Sequence, residues 1–198
     1  MLTTGFMKSY NKLIILSAPS GAGKTTIARH LLGAGLGLEF SVSACSRAKR
    51  PGEVNGRDYY FLTTDEFRKS IEAGCFVEWE EVYPGQFYGT LKSEIERIHQ
   101  KGLSVLFDVD VKGALSLKRI FGEQALSVFI MPPSLEVLKE RLEKRGTDSP
   151  EKVRIRLAKA EIEMLYVSKF DAVIVNDQLE LALSQAETLV RSFLNDKG

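Results

Sequence analysis

The stretch that decides the fold is Ser17-Ala18-Pro19-Ser20-Gly21-Ala22-Gly23-Lys24-Thr25-Thr26. It directly follows the apolar run 13–16 (Leu-Ile-Ile-Leu), which is typical of a buried strand, and it precedes apolar residues at helical spacing. A strand, a glycine turn and a helix in this order predict a phosphate-binding loop. Such a turn points consecutive backbone N–H groups, and the positive end of the helix, at a polyphosphate.

The side chains of this loop have predicted roles. We expect Lys24 to reach the β and γ phosphates of a nucleoside triphosphate and the Thr25 hydroxyl to ligate Mg²⁺. The first position of the pattern G-x-x-x-x-G-K-[ST] is alanine, which is small enough for the turn. The alternative is a glycine turn that opens a helix and holds no ligand. The nucleotide-contacting residues predicted here are Ala18, Pro19, Ser20, Gly21, Ala22, Gly23, Lys24, Thr25 and Thr26.

Composition restricts the class of protein. The 198 residues include 27 basic and 26 acidic side chains, so a net charge of +1 gives no overall attraction to nucleic acid or to a membrane. Cys45 and Cys75 have no ligand-like spacing and are expected to be reduced thiols. No apolar run has the length of a signal peptide or a bilayer span. We therefore predict a cytoplasmic protein with neither a nucleic-acid nor a membrane partner.

Apolar strand-like runs alternate with helical patterns, which predicts an α/β fold with a doubly wound parallel sheet of five strands. The predicted strands cover 13–17, 40–43, 104–109, 127–131 and 172–175. The predicted helices cover 24–32, 91–100, 111–121, 134–145, 151–167 and 179–194. A chain of this length suits one domain, 1–198.

Two segments interrupt the alternation. Segment 44–103 is too long for a plain crossover, and its short aromatic runs and turn residues predict an inserted mixed subdomain. Segment 139–167 carries basic side chains on both sides of a Gly/Pro turn, which predicts a helical lid; an ordinary solvated hairpin is the alternative. The core is then 12–43, 104–138 and 168–198. The basic residues of the lid are Lys139, Arg141, Lys144, Arg145, Lys152, Arg154, Arg156 and Lys159.

The insertion contains groups suited to a second nucleotide. Arg47 and Arg50 lie three residues apart in a turn-forming stretch and can direct two guanidinium groups at one phosphate. If segment 77–82 is a strand, alternation places Glu78 on the opposite face from Val77 and Trp79. A carboxylate can accept hydrogen bonds from both N1–H and the N2 amine of guanine, and adenine has no N1–H. The pattern favours a kinase over a simple nucleotide hydrolase.

With these motifs the chain resembles guanylate kinases over essentially its whole length. Segment 46–59 (SRAKRPGEVNGRDY) is close to the family signature T-R-x-x-R-x-G-E-x-x-G-x-D-Y. Bacterial members share alanine at the first loop position. Ser46 and Thr90 depart from the usual threonine and serine, and each keeps a hydroxyl. Further similar segments are 17–24, 76–79 (FVEW), 87–90 (FYGT), 108–113 (DVDVKG), 141–147 and 175–177.

The resemblance implies transfer of the γ-phosphoryl group of ATP to GMP on a P-loop NTPase fold, as part of purine nucleotide metabolism, with Mg²⁺ as cofactor. Arg141 and Asn176 would contact ATP, and Asp108 would join Thr25 near the metal. The implied catalytic residues are Lys24, Arg47, Arg50, Arg141, Arg145 and Arg156. The implied GMP-binding residues are Ser43, Arg47, Arg50, Glu53, Tyr59, Glu78, Tyr88, Gly89, Thr90, Asp108 and Asp110.

Three other functions remain open at this point. The first is a kinase for another nucleoside monophosphate, against which the carboxylates of Glu78 and Asp110 argue. The second is a non-catalytic module, because guanylate-kinase-like domains of scaffolding proteins resemble binders of phosphorylated peptides. The third is a nucleotide-hydrolysing switch, which would not need the long insertion. The sequence does not distinguish a monomer from a homo-oligomer.

Overall fold

The computed structural model describes residues 11–144, 146 and 149–196. The strands are β1 (Leu13–Ser17), β2 (Leu38–Phe40), β3 (Ala44–Cys45), β4 (Tyr60–Phe61), β5 (Phe76–Tyr83), β6 (Gln86–Leu91), β7 (Ser104–Asp108), β8 (Ala125–Met131) and β9 (Ala172–Val175). The α-helices are α1 (Lys24–Gly33), α2 (Thr64–Glu72), α3 (Lys92–His99), α4 (Val111–Phe121), α5 (Leu135–Lys144), α6 (Pro150–Met164) and α7 (Leu179–Asn195). Two short 3-10 helices cover Gly122–Gln124 and Val167–Lys169.

The large sheet has five parallel strands in the order β2-β7-β1-β8-β9. This confirms the predicted α/β fold and places β1 in the centre of the sheet. Alternate residues of β1 enter different cores: Ile14 and Leu16 pack with α1 and α7, whereas Leu13 and Ile15 pack with α3 and α4. Helices therefore cover both faces, which explains why β1 reads as a continuous apolar run.

The boundaries of β2 differ from the prediction of 40–43. The strand begins at Leu38, and its ladder with β7 ends when the amide of Ser41 donates to the Leu106 carbonyl over 3.0 Å. The next amide, that of Val42, donates to the buried carboxylate of Glu94 over 2.9 Å instead. A side chain from a distant helix thus ends the strand, and local sequence carries no sign of it.

The insertion forms a mixed four-stranded sheet in the order β4-β3-β6-β5. Its helix α2 was not predicted, although Thr63 and Glu66 form a capping box at its start. The small core under this sheet is aromatic, with the rings of Phe67 and Phe76 stacked at a centroid distance of 4.4 Å. The insertion thus has its own core, as a subdomain requires.

Helices α5 and α6 cover most of the segment predicted to be a lid and share a small apolar cluster that includes Leu138, Leu142, Val153 and Ala160. Helix α6 begins with Pro150 after a Ser149 cap, which is a favoured start for a helix. At the other boundary, α3 packs on the large sheet although it lies within the predicted insertion. The division into core, insertion and lid stays a prediction.

Candidate active site

The segment between β1 and α1 forms a tight loop at the carboxyl end of the large sheet. The amide of Ala22 donates to the carbonyl of Pro19 over 3.1 Å, and α1 begins directly afterwards at Lys24. Gly21 and Gly23 have φ angles of +97° and +98°, which residues with a Cβ avoid. Within the described residues no side chain caps the amino terminus of α1, so its first N–H groups are available to an anion.

Ala18 occupies the first position of the loop without strain. Positive φ angles among the described residues occur only at glycines, and Ala18 is buried in the core on the α1 side of the sheet. The backbone at this position therefore does not need glycine, and the small methyl group contributes to packing.

Asn176 supports the loop from the end of β9. Its side-chain amide donates to the Ala22 carbonyl over 2.7 Å, and its own carbonyl accepts from Nη2 of Arg141 over 2.9 Å. Both residues were predicted to contact ATP, and the structure brings them together at the loop. Because Asn176 is buried, its visible contribution is to hold the loop; contact with a nucleotide base stays a prediction.

We expect Gly23→Ala to lower the free energy of unfolding by at least about 2 kcal/mol. The added Cβ would lie 2.2 Å from Nδ2 of Asn176, at a φ of +98°. Gly102→Ala is the control, because its φ is +73° and no described atom lies within 4 Å of the added Cβ. The control should lose only about 1 kcal/mol in urea unfolding. Equal losses would contradict the steric argument.

Lys24 points from the loop to the end of the neighbouring strand β7. Its Nζ lies 2.6 Å from Oδ1 of Asp108 and donates to the Val109 carbonyl over 2.8 Å. Both side chains of the ion pair are about four-fifths buried, with exposures of 18% and 22%. The carboxyl ends of two parallel strands thus bring a cation and a carboxylate together, where α/β proteins bind ligands.

The oxygen donors near this ion pair fit a magnesium ion. The Thr25 hydroxyl at the start of α1 and the Asp108 carboxylate line the same cavity, and Mg²⁺ prefers such oxygens. In the part of the chain that the structure describes, no group of three or more His, Cys, Asp or Glu side chains could hold a metal alone. A cation here would therefore depend on phosphate oxygens of the ligand as well.

The predicted phosphate-binding arginines lie in the insertion. Nη1 and Nη2 of Arg47 donate to the Glu53 carboxylate, over 2.7 and 2.6 Å, and this pairing lowers the pKa of Glu53 to about 2. The same carboxylate accepts from the amide of Arg50 over 2.8 Å. The Arg47 guanidinium also lies 4.9 Å from the ring centre of Tyr59. Glu53 therefore fixes the arginine loop, while Arg50 remains exposed.

Glu78, the predicted guanine-binding residue, lies on β5 of the inserted sheet. Its Oε1 accepts from the Thr90 hydroxyl over 2.6 Å, because the two residues are partners in the β5–β6 ladder. Burial raises the pKa of Glu78 to about 7; the Thr90 hydrogen bond opposes this, and the nearby Asp110 adds to it. A carboxylate that is partly removed from water needs polar partners, which a ligand can supply.

Two glycines let the backbone approach Glu78. A Cβ at Gly113 would lie 3.0 Å from Oε2 of Glu78, and a Cβ at Gly89 would lie 2.8 Å from the Glu78 carbonyl. Asp110 caps α4 by accepting from the Gly113 amide over 2.8 Å. Helix α4 therefore brings a second carboxylate beside the first.

Two adjoining cavities make one continuous cleft between the sheets. Both are lined by Lys24, Tyr59, Tyr88, Asp108 and Asp110. The first extends to Ser43, Glu78 and Gly89. The second extends to the loop from Ala18 to Thr26, and to Arg50, Arg141 and Arg156.

The arginines of the helical hairpin reach the loop side of this cleft. Arg156 donates from Nη1 to the Ser20 hydroxyl, and Arg141 lines the same cavity. Cations from α5, α6 and the insertion thus converge on the loop. The sixth predicted catalytic residue, Arg145, lies outside the described residues.

The guanylate kinase family model matches residues 10–193 of this chain. The chain belongs to the guanylate kinase family. It is 52% identical over 184 residues to the guanylate kinase of Bacteroides thetaiotaomicron, which covers 93% of this chain and 90% of that protein. It is 53% identical over 184 residues to the guanylate kinase of Porphyromonas gingivalis, covering 92% and 98%.

A solved guanylate kinase shares the fold. The crystal structure of guanylate kinase from Anaplasma phagocytophilum superposes with a TM-score of 0.76 at 32% identity, covering 97% of this chain and 90% of that one. The resemblance to guanylate kinases predicted from the sequence motifs is therefore confirmed. Among the described residues, none of the helices combines the length and apolar character needed to cross a bilayer.

This member of the guanylate kinase family has a buried carboxylate in the cleft, Glu163, that the sequence patterns did not indicate. Glu163 of α6 is 9% exposed, and burial raises its pKa. Its Oε1 lies 3.5 Å from Nζ of Lys159, one turn earlier. Lys159 in turn lies 5.6 Å from the ring centre of Tyr83 on β5. Helical spacing shows that Lys159 and Glu163 are neighbours, but not that they face the loop.

Proposed function

We propose that this protein is a guanylate kinase that transfers the γ-phosphoryl group of ATP to GMP and yields ADP and GDP. One observation carries the proposal: a single cleft joins a phosphate-binding loop with Lys24 to a half-buried carboxylate, Glu78, across two sheets. The cleft can therefore hold two anionic nucleotides with their phosphates facing each other. Family membership supports the same reaction.

The insertion side is proposed to bind GMP. Oε1 of Glu78 already accepts from Thr90, which orients the carboxylate, and its oxygens can accept from guanine N1–H and N2–H. Ser43 and Asp110 complete the proposed guanine-reading set. Arg47, Arg50, Tyr59 and Tyr88 are proposed to bind the phosphate, and Glu53 to position the arginines.

The chemistry needs position and positive charge more than covalent help. A phosphate oxygen of GMP is already a nucleophile, so no general base is needed. Two close charges of like sign repel by about 4 kcal/mol in a surface-like environment, and cations must offset this. Lys24, Arg141 and Arg156 lie on the loop side and Arg50 on the insertion side. Arg145 is proposed as a further catalytic cation only on the basis of the resemblance to guanylate kinases.

On the ATP side, the loop amides and Lys24 are proposed to hold the β and γ phosphates. Lys24 must then exchange its contact with Asp108 for one with phosphate. Thr25 and Asp108 would hold Mg²⁺, which supplies further positive charge to the phosphate oxygens when it is bound. We propose that the lid (139–167) and the insertion (44–103) close on the core, which excludes water that would hydrolyse ATP.

A coupled assay of ADP formation tests the function. We expect ADP to form rapidly with GMP and only slowly without it, and AMP, UMP and dTMP to be poor acceptors. Rapid ADP formation without any acceptor would indicate a nucleotide hydrolase. GMP binding without turnover would favour the non-catalytic module.

We also propose a cytoplasmic location. Free thiols at Cys45 and Cys75 suit this location, since disulfides are rare in the reducing cytosol.

The pH dependence tests the Glu78 carboxylate. The ionised carboxylate has only hydrogen-bond acceptors to present to guanine, whereas the protonated form also carries an O–H donor. The value of kcat/KM for GMP should therefore fall as the pH decreases through about 7, approaching a tenfold loss per pH unit. The phosphate of GMP also titrates near pH 6, as phosphate monoesters do. The readout is therefore the ratio of the wild type to Glu78→Gln, which should change with pH. A ratio that stays constant from about pH 8 to about pH 6 would contradict this role.

A further inference from the structure

Strand β5 directs alternate side chains into the cleft. Glu78, Glu80 and Val82 all line the cavity at its insertion end. Glu78 is the proposed guanine reader, but Glu80 has no role in the function proposed above. Its side chain is half-buried, and within residues 11–144, 146 and 149–196 no hydrogen bond or ion pair holds its carboxylate.

The pairing of β5 with β6 shows where Glu80 lies along the cleft; each pair of facing residues is called a level here. Glu78 is the partner of Thr90, and Glu80 is the partner of Tyr88. The two levels are about 6.6 Å apart, because a strand rises by about 3.3 Å per residue. Glu80 therefore lies one level away from the proposed guanine contact, on the same face of the sheet.

The level of Glu80 is next to the proposed phosphate site. The centre of the Tyr88 ring lies 6.0 Å from the centre of the Tyr59 ring, and the Arg47 guanidinium lies 4.9 Å from the centre of the Tyr59 ring. When the base of a nucleotide lies at Glu78 and its phosphate lies near Arg47, its sugar lies beside this part of β5. The sugar is the only part of GMP that offers hydroxyl donors at this level.

We propose that the Glu80 carboxylate accepts hydrogen bonds from the ribose hydroxyls of GMP, the 2′-hydroxyl among them, and so makes this enzyme prefer GMP to dGMP. The inference rests on the proposed function. A half-buried carboxylate without a partner is unfavourable, and two hydroxyl donors satisfy it. Removal of one hydroxyl from the ligand leaves an acceptor unpaired, which is a strong basis for discrimination.

Lys159 is the competing partner for Glu80. Both residues line a neighbouring cavity between β5 and α6, so an ion pair across it is the alternative role of this carboxylate. The two roles make different predictions. An ion pair to the lid would affect GMP and dGMP equally, whereas a contact with ribose affects only the nucleotide that carries the hydroxyl.

The experiment compares kcat/KM for GMP and dGMP, at saturating ATP, in the wild type, Glu80→Ala and Glu81→Ala. Glu81 is the matched control, since it is the next residue, carries the same charge and points to the exposed face. We expect the wild type and the control to prefer GMP about tenfold, and Glu80→Ala to lose this preference. Calorimetric binding of both nucleotides to the same proteins gives a second readout if turnover is low.

An unchanged preference in Glu80→Ala, or a wild type that does not distinguish GMP from dGMP, would overturn the inference and leave the proposed function standing. A wild type that phosphorylates neither nucleotide would overturn both.

Discussion

Lys24→Ala is expected to lower kcat for phosphoryl transfer about a hundredfold to a thousandfold, the usual effect of losing one pre-positioned charge at a transition state. The Lys24 ammonium lines both parts of the cleft and belongs to the first residue of α1. The charge that develops on the migrating phosphoryl group would lose a fixed counter-charge. Steady-state kinetics with ATP and GMP measure the effect.

The fold should survive this substitution. Asp108 loses its partner but keeps contact with solvent, since 22% of its side chain is exposed. The control is Lys101→Ala, which removes a lysine in the turn after α3 that pairs with Glu39 at 2.8 Å. Its kcat should stay unchanged, and both variants should show cooperative thermal unfolding. A folded Lys24→Ala enzyme with near-normal kcat would refute the role of the loop lysine.

Glu78→Gln is expected to raise the KM for GMP about a hundredfold and to leave the KM for ATP almost unchanged. The substitution keeps the shape of the side chain but replaces one acceptor oxygen by an NH₂ donor. That donor would face the N–H groups of guanine, so one hydrogen bond is lost and a repulsive contact takes its place. Kinetics with each substrate varied in turn separate the two KM values.

The matched control is Glu81→Gln, on the exposed side of the same strand. Its carboxylate accepts from the amide of Gly85 over 2.7 Å, and an amide oxygen can replace it there.

Glu78→Gln should also affect stability. Burial raises the pKa of Glu78 to about 7, because the site disfavours a charged carboxylate, and above that pH the folded protein must hold this charge. Glu78→Gln should therefore be at least as stable as the wild type at pH 8. An unchanged KM for GMP would remove Glu78 from the guanine site.

The loop could be predicted because its geometry is local. Ten consecutive residues contain the turn, the glycines at positive φ and the helix start, so no distant contact is needed to specify them. The alternation of β5 was equally readable, since a strand exposes successive residues on opposite faces. The register with β6 confirms that Glu78 and Glu80 point to one side.

Other features depend on contacts between distant segments. The carboxylate of Glu94, 52 residues from Val42, ends β2, and Tyr60 donates its hydroxyl to the same group over 2.8 Å. Helix α2 carries a readable capping box at Thr63 and Glu66, yet short aromatic runs on either side favoured strands. The packing of the Phe67 ring on the Phe76 ring decides that this segment is a helix.

The sequence by itself determined the phosphate-binding loop, the α/β fold with five parallel strands and the family, because these rest on patterns within one segment or on their succession along the chain. Only the tertiary structure decided that Glu163 is buried beside Lys159, that Asn176 holds the Ala22 carbonyl, and that Glu80 lines the cleft with no hydrogen bond or ion pair from any residue that the structure describes. Burial and partner choice arise when separate segments meet, and no local pattern records which side chains then face each other.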